Sequence, residues 1–208
     1  MKLLPLMLAV TAALFTSCHS EQEAGRSSAV YKADLGQSHI TWTGSKPGRL
    51  YHGTMMLKRG SLTVSDHSIT AGSFIIDLNT LKVDDQDTGV VHQLVPFLKS
   101  SNFFDAMKYP SAGFELLQVR PGLDDSARKN PVMKGATHTV VGNFTLNGIT
   151  KTIAFPAKIS VNDNAAAADA YFNIDRTLWG LVYGNDQRLG SNFIRPEVNI
   201  SLHIIANR

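Results

Sequence analysis

The chain holds one cysteine, Cys18, and only four glutamates in 208 residues. A lone cysteine excludes an intramolecular disulfide framework and any cysteine-rich metal site. Four glutamates, set against 14 Val, 12 Ile and 15 Thr, argue against a coiled coil or helical bundle, since helix formers are scarce and β-branched residues abundant. Charged residues are 18% of the chain, and the 20 Lys and Arg are scattered from Lys2 to Arg208 without a run. The net charge of +3 is therefore ordinary surface charge, and nucleic acid is not an expected partner. No apolar run reaches the ~20 residues of a membrane-spanning helix.

Catalytic patterns are missing too. There is no Gly-x-Ser-x-Gly elbow, and the seven histidines show neither His-x-His nor His-Glu-x-x-His spacing, so no metal is expected. Ser65-Asp66-His67 has the residue types of a triad, but sequence neighbours cannot point at one another in that way. Residues 85–89 (DQDTG) lack the distal Glu of a calcium loop, and residues 44–48 (GSKPG) lack the Lys-Ser/Thr end of a phosphate loop.

What is present begins at the N-terminus. Lys2 precedes an apolar stretch at residues 3–15 (LLPLMLAVTAALF), of signal-peptide length. Phe15-Thr16-Ser17-Cys18 then resembles the lipobox of bacterial lipoproteins, with Phe15 standing where Leu, Val or Ile is usual. On this reading residues 1–17 are removed, Cys18 is lipidated, and residues 18–28 form a flexible polar tether. The expected location is extracytoplasmic, in the bacterial periplasm or at the outer membrane, with the protein held by lipid.

From residue 29 to 208 the dominant period is two, as in half-buried strands. Ile40 and Trp42 alternate with His39, Thr41 and Thr43, and Gly72, Phe74, Ile76 and Leu78 share a face. Residues 139–161 read as a hairpin: Val140, Gly142, Phe144 and Leu146 on one face, Thr139, Asn143 and Thr145 on the other. Asn147-Gly148 supplies a two-residue turn, and Ile153, Phe155, Ala157, Ile159 and Val161 lie on the return strand. Phe172/Ile174 and Ile200/Leu202/Ile204 repeat the pattern. Helical spacing occurs only at Val91, Leu94, Val95 and Leu98, where Pro96 limits the expectation to one or two short turns. Residues 121–135 and 162–169 read as loops. The fold class is all-β: eight or so antiparallel strands closed into one barrel, either hollow or filled by its side chains.

Several stretches resemble the YceI-like proteins. They are residues 30–42 (VYKADLGQSHITW), Tyr51-His52-Gly53, residues 72–77 (GSFIID), 98–105 (LKSSNFFD), 109–114 (YPSAGF), 142–151 (GNFTLNGITK) and 175–180 (DRTLWG), in the right order. Phe97 stands where many relatives carry His. The resemblance implies an extended, lipocalin-like, eight-stranded antiparallel barrel whose apolar tunnel holds a polyisoprenoid or similar amphiphile, which favours the hollow form.

The candidate lipid-binding residues are Phe74, Ile76, Phe103, Phe104, Phe114, Gly142, Phe144, Phe155, Phe172 and Trp179. Arg176 is a candidate for a polar head group, or else for a turn-locking pair with Asp175. The expected function is a lipid-anchored carrier without catalysis, needing no cofactor beyond its bound polyisoprenoid or quinone-like lipid. The alternative is a structural or interaction lipoprotein with a filled barrel and partner-binding loops. An enzyme acting on isoprenoid quinones ranks third, since no acid, base or cofactor motif supports it. The expected partners are a long-chain isoprenoid lipid and, through Cys18, the membrane; a homodimer is admitted as well.

Overall fold

A computed structural model describes residues 28–128 and 133–208. The signal-like segment, Cys18 and the tether up to residue 27 lie outside the described residues. The elements are β1 (Ser28–Ala33), β2 (His39–Lys46), β3 (Arg49–Ser65), β4 (Ser68–Asp84), α1 (Thr88–Lys99), β5 (Ser111–Pro121), α2 (Asp125–Arg128), β6 (His138–Leu146), β7 (Ile149–Val161), β8 (Ala165–Asp175) and β9 (Glu197–Asn207). Neighbours run β3-β2-β9-β8-β7-β6-β5-β4, and a β3–β4 pairing closes the ring. All pairs are antiparallel.

β1 and β2 share one position in the wall. β2 pairs the first part of β3 and the first part of β9, while β1 pairs Ser61–Ser65 of β3 and the end of β9. The break between them is held locally. The Asp34 carboxylate accepts from the amides of Gly36 and Gln37, and the Ser38 hydroxyl bridges both backbone groups of Ile205. The barrel is therefore eight-stranded, with one wall strand broken in two.

The hairpin between β6 and β7 forms as the sequence predicts. Asn147 and Gly148 have φ of 51° and 73°, the left-handed pair that a primed two-residue turn requires. Val140, Gly142 and Leu146 are buried on the inner face. Thr139, expected to face solvent, is also fully buried. The 122–128 segment with α2 packs over the outer wall there, and the Thr139 hydroxyl accepts from the Asp124 amide and donates to the Gly122 carbonyl.

Two other expectations are corrected. The segment expected to hold short turns is a twelve-residue helix, α1, that runs through Pro96. Asp87 caps its start by accepting from the amides of Gly89 and Val90. Pro96 and His92, whose carbonyl loses its helical donor, both lie on the exposed side, where water can replace the missing N–H. Residues 162–169 are not all loop, since β8 begins at Ala165. The Asn162 side chain accepts from the amides of Asn164 and Ala165 and turns the chain in three residues.

The barrel has two unlike ends. The rim end carries the β2–β3 and β6–β7 turns, α1 and the segment 176–196; the far end carries the β3–β4 and β7–β8 turns and the described chain ends. Apolar side chains point inward while Lys32, Lys58, Arg59, Lys82 and Lys158 are exposed, the inverse of a lipid-embedded barrel.

Candidate functional site

The barrel is hollow. A cavity of about 730 Å³ runs along its axis, lined by side chains from every strand from β2 to β9. That volume is within the range of small-molecule sites, roughly 300 to 1,000 Å³. Its origin is visible in the residues. Ala157 of β7 pairs with Ala170 of β8, and Ile159 pairs with Ala168, so this part of the wall projects little into the interior. Phe155, two residues from Ala157 on the same face of β7, projects into the interior, as do Phe74 of β4 and Phe114 of β5. Phe155 stacks on Phe172 at 4.1 Å, and Phe114 tilts against Phe155 at 5.7 Å, a rigid aromatic band about which the open volume is arranged.

Nine of the eleven sequence candidates line this cavity: Phe74, Ile76, Phe103, Phe104, Phe114, Phe144, Phe155, Phe172 and Arg176. Gly142 and Trp179 do not. A Cβ at Gly142 would sit 2.2 Å from the Phe114 ring, so this glycine makes room for an aromatic neighbour rather than for a ligand. Trp179 is core, 1% exposed, with its Nε1–H donating to the Phe144 carbonyl at 3.0 Å and its ring edge-on to Phe144.

Arg176 lines the cavity but does not form the expected turn-locking pair with Asp175. The residue is 2% exposed, and its guanidinium donates to the carbonyls of Leu181, Tyr183, Ile194 and Arg195. Asp175 instead accepts from the Thr177 amide and hydroxyl. Arg176 is thus a clamp for the segment that covers the rim, and it also sits over the Phe103 ring. Burial lowers its pKa from the ordinary arginine value, an effect that Asp175 opposes.

The rim supplies residues that strand alternation does not identify. Val90, Gln93, Leu94 and Phe97 of α1 line the cavity, as do Tyr183 and Arg195 from the covering segment and Lys46, Arg49 and Tyr51 from the β2–β3 hairpin. Phe97, at the position where many relatives carry His, packs edge-on against Tyr183 at 4.9 Å. Among the described lining residues the charged ones are Lys46, Arg49, Arg176 and Arg195; no carboxylate lines the cavity. Arg49 is paired with Asp85 at 2.9 Å and lies over Tyr51. The Asp85 carboxyl is held below its ordinary value, first by the Asp87 amide and then by Arg49. Deep in the wall, the Trp42 Nε1–H is buried without a partner among the described residues.

The closed antiparallel barrel has counterparts of the same fold among known proteins. BcnA of Burkholderia cenocepacia superposes with a TM-score of 0.61 at 19% identity, over 84% of this chain and 99% of that one. A polyisoprenoid binding domain from Saccharophagus degradans, implicated in plant cell wall breakdown, superposes at 0.57 with 16% identity, over 85% and 97%. In sequence, a UPF0312 protein of Yersinia pestis is 30% identical over 105 residues, which is 50% of this chain and 46% of that protein. The match thus spans about half the length of such curated relatives. Residues 31–206 match the YceI-like domain family, nearly the whole described barrel, and the chain belongs to that family.

Proposed function

We propose that this protein is a non-catalytic carrier that holds one long amphiphile, a polyisoprenoid or a quinone-like lipid, with its chain in the barrel and its head at the rim. The observation that carries this reading is the continuous 730 Å³ apolar cavity whose only charged lining groups among the described residues are cations near the rim. Each buried CH₂ contributes about 0.8 kcal/mol, so a chain of about 15 to 20 carbons is retained by the wall alone, even after the cost of immobilising it. Selectivity would come from the far end, which limits length, and from Lys46, Arg49 and Arg195, which favour a polar or anionic head.

The domain from Saccharophagus degradans, named for polyisoprenoid binding, shares the fold and supports the ligand class. We further propose that the chain is lipidated at Cys18 and works outside the cytoplasm. Native mass spectrometry of gently purified protein, followed by lipid extraction, tests the carrier role. One co-purifying isoprenoid-sized adduct per chain is expected. A mass equal to the bare polypeptide, together with no binding of added polyprenyl compounds, would contradict it.

A further inference from the structure

The rim differs from the rest of the outer surface. Val182 and Leu189 project into solvent from the covering segment, Leu50 does so from the start of β3, and Tyr183 is half-exposed while also lining the cavity. The apolar surface is therefore continuous from the outside of the rim into the barrel. The charged side chains that line the mouth at this end are all cations, and no carboxylate lines it. Of the nearby carboxylates, Asp85 is engaged by Arg49, Asp186 by Arg188, and Asp87 by the first amides of α1. Lys46 and Arg195 have no acidic partner among the described residues. Asp84 and Glu197 alternate with inward Val83 and Val198, and so face outward from the wall.

We propose that the rim is a docking surface for a lipid bilayer that carries anionic headgroups, with the mouth of the cavity facing the bilayer. Val182, Tyr183 and Leu189 enter the headgroup boundary, and Lys46 and Arg195 meet the anionic lipids. The geometry gives an amphiphile a path from bilayer to barrel that avoids water. That matters because each methylene exposed to water disfavours transfer by about fourfold. The inference rests on the carrier reading, but its test is separate.

Cys18 is the only cysteine, so the full chain with Cys18→Ser is a thiol-free background for one labelled site at a time. A fluorophore is placed at Val182→Cys on the rim or at Asn164→Cys at the far end, and the protein is mixed with vesicles of phosphatidylcholine and phosphatidylglycerol containing nitroxide-labelled phosphatidylcholine. The rim label is expected to be quenched and the far-end label not. Lys46→Gln and Arg195→Gln should each weaken the association about fivefold. Equal or greater quenching of the far-end label, or quenching of neither, overturns the proposal. A parallel titration with farnesol in the absence of vesicles, read by tryptophan fluorescence, separates the two readings. Farnesol binding without rim quenching overturns docking alone. Rim quenching without farnesol binding overturns the carrier reading and leaves the docking surface standing.

Discussion

At the scale of single residues, the alternation of the β6 strand assigns opposite roles to neighbours. Phe144 lines the cavity, whereas Thr145 faces outward with its hydroxyl 2.7 Å from that of Thr150. Phe144→Lys should therefore cost about 2 to 4 kcal/mol, because an ammonium enters an apolar space without a partner. Thr145→Lys should cost less than about 0.5 kcal/mol, as exposed substitutions usually do. Urea denaturation of the two variants checks this, and equal losses would mean the register is wrong. Arg176 gives a second test. Arg176→Met leaves the carbonyls of Leu181, Tyr183, Ile194 and Arg195 without their donor, at a cost of about 3 to 5 kcal/mol. Hydrogen exchange should show the loss concentrated in residues 176–196, whereas uniform loss across the barrel would contradict the clamp.

Residue roles of this kind were only partly legible in the sequence. Alternation places Phe74, Phe114 and Phe155 inward because the strand period is geometric and local. It cannot show that Gly142 is small in order to admit the Phe114 ring, since that contact crosses from β6 to β5. Trp179 failed as a lining residue for a similar reason. Its buried position and its bond to Phe144 depend on how the segment after β8 folds back over the hairpin between β6 and β7.

Among the elements, α1 is the one that local rules understate. A proline inside a helix removes a hydrogen bond and collides with the preceding turn, which shortens the helix expected from sequence. Here the helix continues because Val90, Leu94, Phe97 and Leu98 bury a face over the cavity, and packing outweighs the local penalty. Pro96→Ala should restore the amide and stabilise α1 by about 1 to 3 kcal/mol, less the extra freedom gained by the unfolded chain. Slower hydrogen exchange in residues 92–99, together with slower release of a bound chain, is the expected result. Unchanged exchange would show that α1 is not limited by its proline. The hairpin turn at Asn147-Gly148 lies at the opposite extreme. Its conformation is dictated by two residues, and the sequence reads it without help from the rest of the fold.

For the whole molecule, the closed sheet and its apolar interior form one scheme. The family's fold was legible because short stretches along the chain, from residues 30–42 to 175–180, carry its pattern in order. The size of the interior was not, since a Phe/Ala mixture describes a filled taper as well as an open tunnel. If lipidation holds the protein at a membrane, Cys18→Ser should move it to the soluble extracytoplasmic fraction with the barrel's melting temperature unchanged. Retention in washed membranes would contradict the anchor.

The central claim is that the cavity holds an extended apolar chain, and one titration tests it directly. Delipidated wild type and Ala168→Phe are titrated with polyprenyl alcohols of increasing length, with fluorescence of Trp42 in the cavity wall as the readout. Ala168 lines the deeper part of the tunnel, between Ile159 and Ile204, so a phenyl group there should shorten the space while leaving the rim intact. The account predicts one-to-one binding by the wild type, tightening with chain length up to a limit, and a shorter limit in Ala168→Phe with short chains still bound. No saturable binding by wild type at any length, or an identical length profile in the two proteins, would contradict it.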